Sequence, residues 1–287
     1  MVLVADSALQ LNSETIRKLN IEVVEYPLYV NGESYPVSMD MSRQEKDKLR
    51  LILKDKNNKV TTSGLRKEDL LSIYKKYPTE QIISLHQAGR ASTATTAVIR
   101  EILSEEKDLQ VEFFDAGHLT SAYSVIVEQT AEAVQAGKPL EEIRPLFEGI
   151  RSRTRHLGAV YDLFYLHRTG RIGLAKAIMG TAMKITALLS SSDEPGVLKS
   201  IGKVKNHIQG NQRMIRIIRE DLEEKKGARL RAVISVIGPH EKEAEHLKKL
   251  VEELDCPVQV EVHYTNHSNM PHAGPDFYDI GYTIYEK

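Results

Sequence analysis

The 287-residue chain lacks several features that define large classes of protein. Its one cysteine, Cys256, excludes an internal disulfide, and no histidine or cysteine motif surrounds it to activate the thiolate. No apolar run approaches the roughly 20 residues of a membrane span, and Asp6 interrupts the first apolar stretch before it resembles a signal peptide. We therefore expect a cytoplasmic protein without stable membrane insertion.

The short motifs of common nucleotide and hydrolase sites are also missing. Neither G-x-G-x-x-G nor G-x-x-x-x-G-K occurs, and there is no G-x-S-x-G nucleophile elbow. Apolar residues make up 41% and charged residues 28% of the chain, without low-complexity tracts, as in ordinary globular proteins. The length is about twice that of a usual domain, which predicts two packed units or one large α/β unit.

Short β-branched runs alternate with longer amphipathic runs, the pattern of strands joined by crossover helices. We predict strands over residues 2–5, 21–30, 81–85, 111–114, 157–161, 230–237, 258–264 and 280–285. Helices are predicted over 42–53, 67–77, 92–103, 121–135, 174–183, 206–224 and 241–254, with hairpin turns at 31–32 and 193–196. The expected domains are 1–156 and 157–287.

Hydroxyl groups cluster where predicted strands end and helices begin. Thr61, Thr62 and Ser63 precede one helix, and Ser92 and Thr93 open the next. Ligands of open α/β sheets bind beyond the carboxyl ends of the strands, and helix N-termini favour anions. Ser and Thr are also ordinary helix caps, so the residues alone leave helix capping and a carboxylate site equally open.

Two other functions stay open on the residues alone. Asp6 and Asp115 end predicted strands and are candidate bases of a transferase or hydrolase, acting with His272. Residues 151–219 carry thirteen Lys and Arg against three acids, a net charge of +10 that suits an interaction module binding an acidic partner. The histidines at 263, 267 and 272 match no zinc signature, so we expect no metal and no cofactor.

Seven short segments, in this order, resemble the DegV family over nearly the whole chain. They are VADS at 4–7, the segment 21–32 with its Pro-Leu and final Gly, VTTS at 60–63, SLH at 84–86 followed by AST at 91–93, FD at 114–115, HRTGRI at 167–172 and HAGP at 272–275.

The resemblance implies a DegV-like fold of two α/β domains, the first with a mostly parallel, Rossmann-like sheet. A fatty acid would lie in an apolar tunnel at the domain junction, with its carboxylate on the hydroxyls at 61–63 and 92–93 and on His272. Small and apolar residues at 175–185 would line the tunnel, although such a stripe is also typical of a core.

The family also implies a carrier that is not itself an enzyme and presents the fatty acid to the catalytic subunit of a fatty acid kinase. Contact with that partner is expected at Arg168, Arg171, Lys203 and Lys205, and nucleic acid is not expected to bind. The chain departs from the family at 64–66, 88–89, 116, 186–187 and 276, which predicts a thinner anion site.

Overall fold

The computed structural model describes residues 1–285 except 174–185, 193, 195, 224 and 226. The first elements are β1 (Val2–Asp6), α1 (Ser13–Lys18), β2 (Ile21–Val24), β3 (Leu28–Val30), β4 (Glu33–Tyr35), α2 (Arg43–Lys54), β5 (Val60–Thr62), α3 (Lys67–Tyr74), β6 (Ile82–His86), α4 (Thr93–Glu105), β7 (Val111–Asp115), α5 (Thr120–Gln135) and α6 (Leu140–Arg153).

The remaining described elements form the second part of the fold. They are β8 (Thr154–Val160), α7 (Phe164–Arg168), β9 (Thr186–Ser190), β10 (Lys199–Val204), α8 (His207–Glu223), β11 (Arg229–Ile237), α9 (Glu241–Glu252), β12 (Val258–Tyr264), α10 (Met270–Ala273) and β13 (Phe277–Tyr285). The predicted domain boundary falls inside β8, and the division into domains stays a prediction. The helix predicted at 174–183 and its tunnel-lining residues lie outside the described residues.

The first sheet is parallel and has the strand order β2-β1-β6-β7. Its central strands β1 and β6 are buried along their whole length, because helices joining parallel strands cover both faces of such a sheet. Asp6, His86 and Asp115 therefore lie close together, at the carboxyl ends of neighbouring parallel strands.

The single strand predicted over 21–30 is wrong. β2 ends at Val24, and β3 belongs to a separate three-stranded antiparallel sheet of order β4-β3-β5. Pro27 lies between the two strands. Because proline has no N–H to donate to a neighbouring strand, the hydrogen-bonded pairing of β2 does not continue through this residue. The hairpin predicted at Asn31 and Gly32 is confirmed, since both have positive φ, 55° and 90°, between the paired strands β3 and β4.

The second sheet has the order β10-β9-β8-β13-β11-β12 and is antiparallel except for the pair β11 and β12. Pairing of β9 with β10 confirms the second predicted hairpin, although residues 193 and 195 of its turn lie outside the described residues. The predicted α/β fold, with a parallel first sheet and a second sheet-containing part, is confirmed.

Helix α5 joins the two parts, because it packs on β1 of the first sheet and on β11 and β13 of the second. Its side chains are buried along most of its length. A Cβ at Gly281 would lie only 2.1 Å from the backbone nitrogen of Ala122, so only glycine allows this close approach of helix and strand. Arg231 of β11 also pairs with Glu128 at 2.7 Å and Glu132 at 2.6 Å on the helix.

Candidate functional site

A cavity of about 170 Å³ lies between the start of α4, the end of β5, α10 and the β8–β13 pair. Its volume is roughly ten times that needed for one buried water, so it is large enough for an organic ligand. The apolar part of the wall comes from the second sheet, from the residue before β10 and from α7, and it consists of Val160, Leu166, Leu189, Leu198 and Phe277.

Five predicted site residues line this cavity together, and we call them the hydroxyl end. They are Thr62, Ser63, Ser92, Thr93 and His272. A hydrogen bond of 2.9 Å joins the Thr62 hydroxyl to Nε2 of His272, across 210 positions of the chain. The cavity wall thus combines a strand of the small sheet with helix α10, as the resemblance implied.

His272 is a neutral imidazole at ordinary pH. Burial, together with the positive charges of Arg171 and Arg168, lowers its pKa to about 3. Its Nδ1 is buried and has no hydrogen-bond partner among the described residues. A neutral ring donates or accepts one hydrogen bond at each nitrogen according to its tautomer, so His272 can offer an N–H to an anion without carrying a charge.

Thr61 does not line the cavity. It pairs with Tyr29 on β3, and successive side chains of a strand point to opposite faces, so the hydroxyl of Thr61 faces away from that of Thr62. Ser63 is exposed at the cavity mouth, and its hydroxyl donates to the carbonyl of Gly64 at 3.0 Å. The residue types alone did not distinguish these faces, because the three-residue strand β5 was not predicted.

Gly64 is one of the departures from the family pattern, and the structure explains why a glycine stands there. A Cβ at this position would come within 2.7 Å of the Ala94 Cβ in the first turn of α4. The missing side chain therefore lets the loop after β5 pack directly on the helix that carries Thr93.

Ser92 holds the N-cap position of α4, but its hydroxyl makes no capping hydrogen bond to the helix backbone. It donates instead to the Thr95 hydroxyl at 2.9 Å, within a network that includes the phenol of Tyr26. The capping interpretation of Ser92 is therefore wrong. The positive end of the 13-residue helix α4 faces the cavity, which favours a bound anion.

Sequence reasoning missed Tyr26 and Gln87, which also line the cavity. The Gln87 amide donates to the Tyr26 hydroxyl at 3.2 Å. Burial and the charge of Asp6 raise the pKa of Tyr26, so its phenol keeps its proton. Their positions just after β2 and β6 were a usable signal, since the carboxyl ends of parallel strands are where ligands collect.

Two cations predicted as partner contacts lie at or beside the cavity. Arg171 lines it and donates to the Ala91 carbonyl at 3.4 Å. Arg168 donates to the Asn58 carbonyl at 3.0 Å, and its guanidinium lies 5.3 Å from the ring centre of Phe164. The other two predicted contacts, Lys203 in the edge strand β10 and Lys205 after it, are exposed and do not line the cavity.

The two strand-end acids are occupied by hydrogen bonds and do not line the cavity. Asp6 is fully buried and accepts from the backbone N–H of Ala8 at 3.0 Å and of Gln87 at 3.1 Å. Asp115 accepts from the N–H groups of Gly89 at 3.2 Å and Gly117 at 2.8 Å. Neither Asp6 nor Asp115 lines the cavity with His272, so the structure gives no support to the alternative in which one of them acts as a base beside it.

A second polar group, which the sequence did not suggest, lines the same cavity, and we call it the aspartate end. It consists of Thr120, His156 and Asp279. His156 Nε2 lies 3.1 Å from the Asp279 carboxylate, which also accepts from the hydroxyls of Thr120 and Ser235. Burial alone would raise the pKa of Asp279, but these hydrogen bonds and the charge of His156 outweigh it and lower the pKa.

The C-terminal histidines lie in separate surroundings. His263 lies 3.1 Å from Glu261 and His267 lies 3.2 Å from Glu25, whereas His272 bonds Thr62. Within the part of the chain that the structure describes, no group of three His, Cys, Asp or Glu side chains is placed to hold a metal ion. None of the helices in the described ranges combines the length and apolarity needed to cross a membrane.

Comparison with known proteins gives matches over the whole chain. A family model described as "Uncharacterised protein, DegV family" matches residues 1–285. The DegV domain-containing protein YteA of Lactococcus lactis is 27% identical over 278 residues, which cover 95% of this chain and 93% of that protein.

Solved structures match at similar coverage. The fatty-acid-binding DegV family protein of Thermus thermophilus superimposes with a TM-score of 0.87 at 24% identity, covering 99% of each chain. The fatty acid binding protein DegV of Bacillus subtilis superimposes with a TM-score of 0.84 at 20% identity, also covering 99% of each chain. At these identities the structural likeness establishes the fold.

Proposed function

This chain belongs to the DegV family, and from that premise we propose that it binds a long-chain fatty acid in the cavity, with the carboxylate at the hydroxyl end. The observation that carries the proposal is the Thr62–His272 hydrogen bond facing the cavity beside Ser92 and Thr93. The Thermus thermophilus and Bacillus subtilis proteins of the same fold bind fatty acids, which supports the same ligand class here.

The chemistry of the hydroxyl end suits a carboxylate that is bound and later released. Hydroxyls, a neutral imidazole and the N-terminus of α4 supply hydrogen bonds, while Arg171 supplies one formal positive charge at the wall. Charge-assisted hydrogen bonds to a carboxylate are stronger than neutral ones, yet a few neutral donors hold a monoanion less tightly than a cluster of cations would.

The acyl chain would lie against the apolar wall of Val160, Leu166, Leu189, Leu198 and Phe277. Each methylene transferred from water to an apolar wall contributes about 0.8 kcal/mol, so the chain supplies most of the binding free energy. The carboxylate contacts then fix the orientation of the ligand.

The protein itself would be a cytoplasmic carrier that presents the fatty acid carboxylate to the catalytic subunit of a fatty acid kinase. Ser63 is exposed at the mouth and Arg171 lines the cavity, while the charge of Arg168 acts on His272, so a partner approaching here would meet positive charge beside the ligand head. Lys203 and Lys205 would extend this cationic surface along the edge of the second sheet.

The binding proposal is tested with delipidated protein and a fluorescent fatty acid. Thr62→Ala and His272→Gln should each weaken binding about tenfold, because each removes a hydrogen bond to a charged group. Thr61→Ala is the matched control, since it deletes a hydroxyl from the opposite face of the same strand and should leave affinity unchanged. Native mass spectrometry of freshly purified protein should show a bound fatty acid.

Absence of any bound lipid, together with no response to fluorescent or natural fatty acids, would overturn the proposal. Equal losses in Thr62→Ala and Thr61→Ala would show that strand stability, and not the hydroxyl end, controls binding.

The kinase partnership is tested separately, by adding the loaded protein to a fatty acid kinase catalytic subunit with ATP and measuring acyl phosphate. Reversal of charge at Lys203 and Lys205, which are exposed and do not line the cavity, should reduce acyl phosphate formation while fatty acid binding is retained. If loaded protein supports no phosphorylation by kinases that accept other family members, the carrier role for a kinase is wrong even where binding holds.

A further inference from the structure

The wall of the cavity changes character along the β8–β13 pair. Phe277 lies opposite Val160, and two residues further on Asp279 lies opposite Gly158. Side chains of alternate strand residues share a face, so the apolar pair is followed after about 7 Å by the aspartate end. His156 lies two residues beyond Gly158 on the same face, so the polar wall continues past Asp279.

The aspartate end is built into the fold. Asp279 and His156 are buried, with exposed fractions of 2% and 5%. Thr120 has a φ of 50°, a left-handed conformation that is rare for a β-branched residue, and its hydroxyl is held by Asp279. Such a conformation persists only where surrounding contacts enforce it, so the position of Thr120 at the cavity wall is fixed.

One oxygen of Asp279 has fewer hydrogen-bond donors than the other. Oδ2 accepts from Thr120, from His156 and, at 3.5 Å, from the N–H of Ser121. Oδ1 accepts from Ser235, its one partner among the described residues, so one of its two lone pairs has no donor there. The oxygen of Thr120 already lies 3.2 Å from Nε2 of His156.

We propose that the cavity is selective for a fatty acid that carries a hydroxyl group on its chain, with the hydroxyl donating to Oδ1 of Asp279 at the aspartate end. The inference rests on the proposed fatty acid binding and adds the substrate class to it. An unsubstituted chain covers this oxygen with methylenes and gives it no further donor, which costs binding free energy.

The same geometry argues against a second carboxylate on the ligand. Asp279 is held ionised by its partners, and a like charge placed beside a buried carboxylate is strongly unfavourable. A hydroxyl has a proton to donate and no charge, so it fits the wall where a carboxylate does not.

The test compares affinities of the full-length, delipidated protein for stearic, 10-hydroxystearic and 12-hydroxystearic acids by isothermal titration calorimetry. At least one hydroxy acid should bind about tenfold more tightly than stearic acid, the gain expected for one hydrogen bond to a charged group. In Asp279→Asn and His156→Phe this preference should fall to about threefold or less, with stearic acid bound as before or better.

Asp221→Asn is the matched control, because it makes the same change at an aspartate that accepts from the Tyr282 hydroxyl and does not line the cavity, so it should keep the tenfold preference. Circular dichroism and melting temperature report whether each variant folds. If Asp279→Asn does not fold, the affinities of His156→Phe test the proposal.

The outcomes separate this inference from the function on which it rests. If stearic and both hydroxy acids bind with equal affinity, or if the preference survives both variants, the hydroxyl selectivity is wrong while fatty acid binding stands. If none of the three acids binds, the proposed function fails and this inference fails with it.

Discussion

The two ends of the cavity present polar groups of opposite kind. The hydroxyl end offers donors, a helix N-terminus and Arg171, whereas the aspartate end offers an ionised carboxylate and acceptors. An amphiphile with one carboxylate therefore has one favourable orientation, since its anion is attracted at one end and repelled at the other. For the proposed ligand, electrostatics would therefore set the direction of binding as well as shape.

The largest effect on fatty acid affinity should come from placing a negative charge at the hydroxyl end. His272→Asp places a carboxylate beside the fatty acid head and should weaken fatty acid binding by roughly 100-fold or more, because like charges in contact cost several kcal/mol. Fluorescent fatty acid titration measures the loss. His272→Gln is the neutral control, and equal losses in the two variants would contradict the electrostatic account.

The two ends should also respond to acid in different pH ranges. The folded pKa of His272 is lowered to about 3, so the unfolded chain binds a proton there from about pH 6.5 downward while the folded chain does not. This residue should cost the protein up to about 2 kcal/mol of unfolding free energy between pH 6.5 and 5. Asp279, whose folded pKa is also lowered, should cost stability only below about pH 4.

Urea unfolding at a series of pH values tests this separation. His272→Gln should flatten the curve between pH 6.5 and 5, although part of the slope should remain because burial also lowers the pKa of His118 to about 4. An unchanged slope in His272→Gln would show that its ring is protonated in the fold.

Removing the charge of Asp279 should make the two ends of the cavity more alike, with a smaller effect on affinity than charge reversal at His272. Wild-type protein should bind hexadecanedioic acid more weakly than palmitic acid, and Asp279→Asn should raise its affinity for the diacid about tenfold, because one buried repulsion is removed. Calorimetric titration of both acids measures the ratio. A diacid that binds as tightly as palmitic acid to the wild type would show that Asp279 exerts no repulsion.

The smallest effect is expected from cations beside the hydroxyl end. Arg171→Ala should weaken fatty acid binding roughly threefold, because its partly solvated charge is screened. The loss should shrink when salt is raised from 0.05 to 0.5 M, as measured by fluorescence titration, with Lys203→Ala as a control away from the cavity. A loss independent of salt would assign Arg171 a packing role.

The hydroxyl end was largely predictable from the sequence, and the aspartate end was not. Thr62, Ser92 and Thr93 follow or begin regular elements, and family motifs marked them and His272. His156 and Asp279 carry no local signal, because the register of β8 against β13 alone brings them together. Long-range pairing of this kind is not encoded in any short segment.

The errors have the same physical origin. Thr61 was assigned to the carboxylate site because its residue type matched, but the face of a strand is fixed by pairing, here with Tyr29. The run at 21–30 has strand-forming residues throughout, and the break near Pro27 sends its second half into another sheet. Propensity predicted the elements, and tertiary pairing decided what each side chain faces.

The contact between Gly281 and Ala122 ties the aspartate end to a residue that does not line the cavity. Any larger residue at 281 must push back the start of α5, the helix whose first residue is Thr120. Because the same helix packs on both sheets, such a substitution would disturb the fold and the cavity wall together. A loss of ligand binding in a variant at 281 would therefore report on helix position and not on a contact with the ligand.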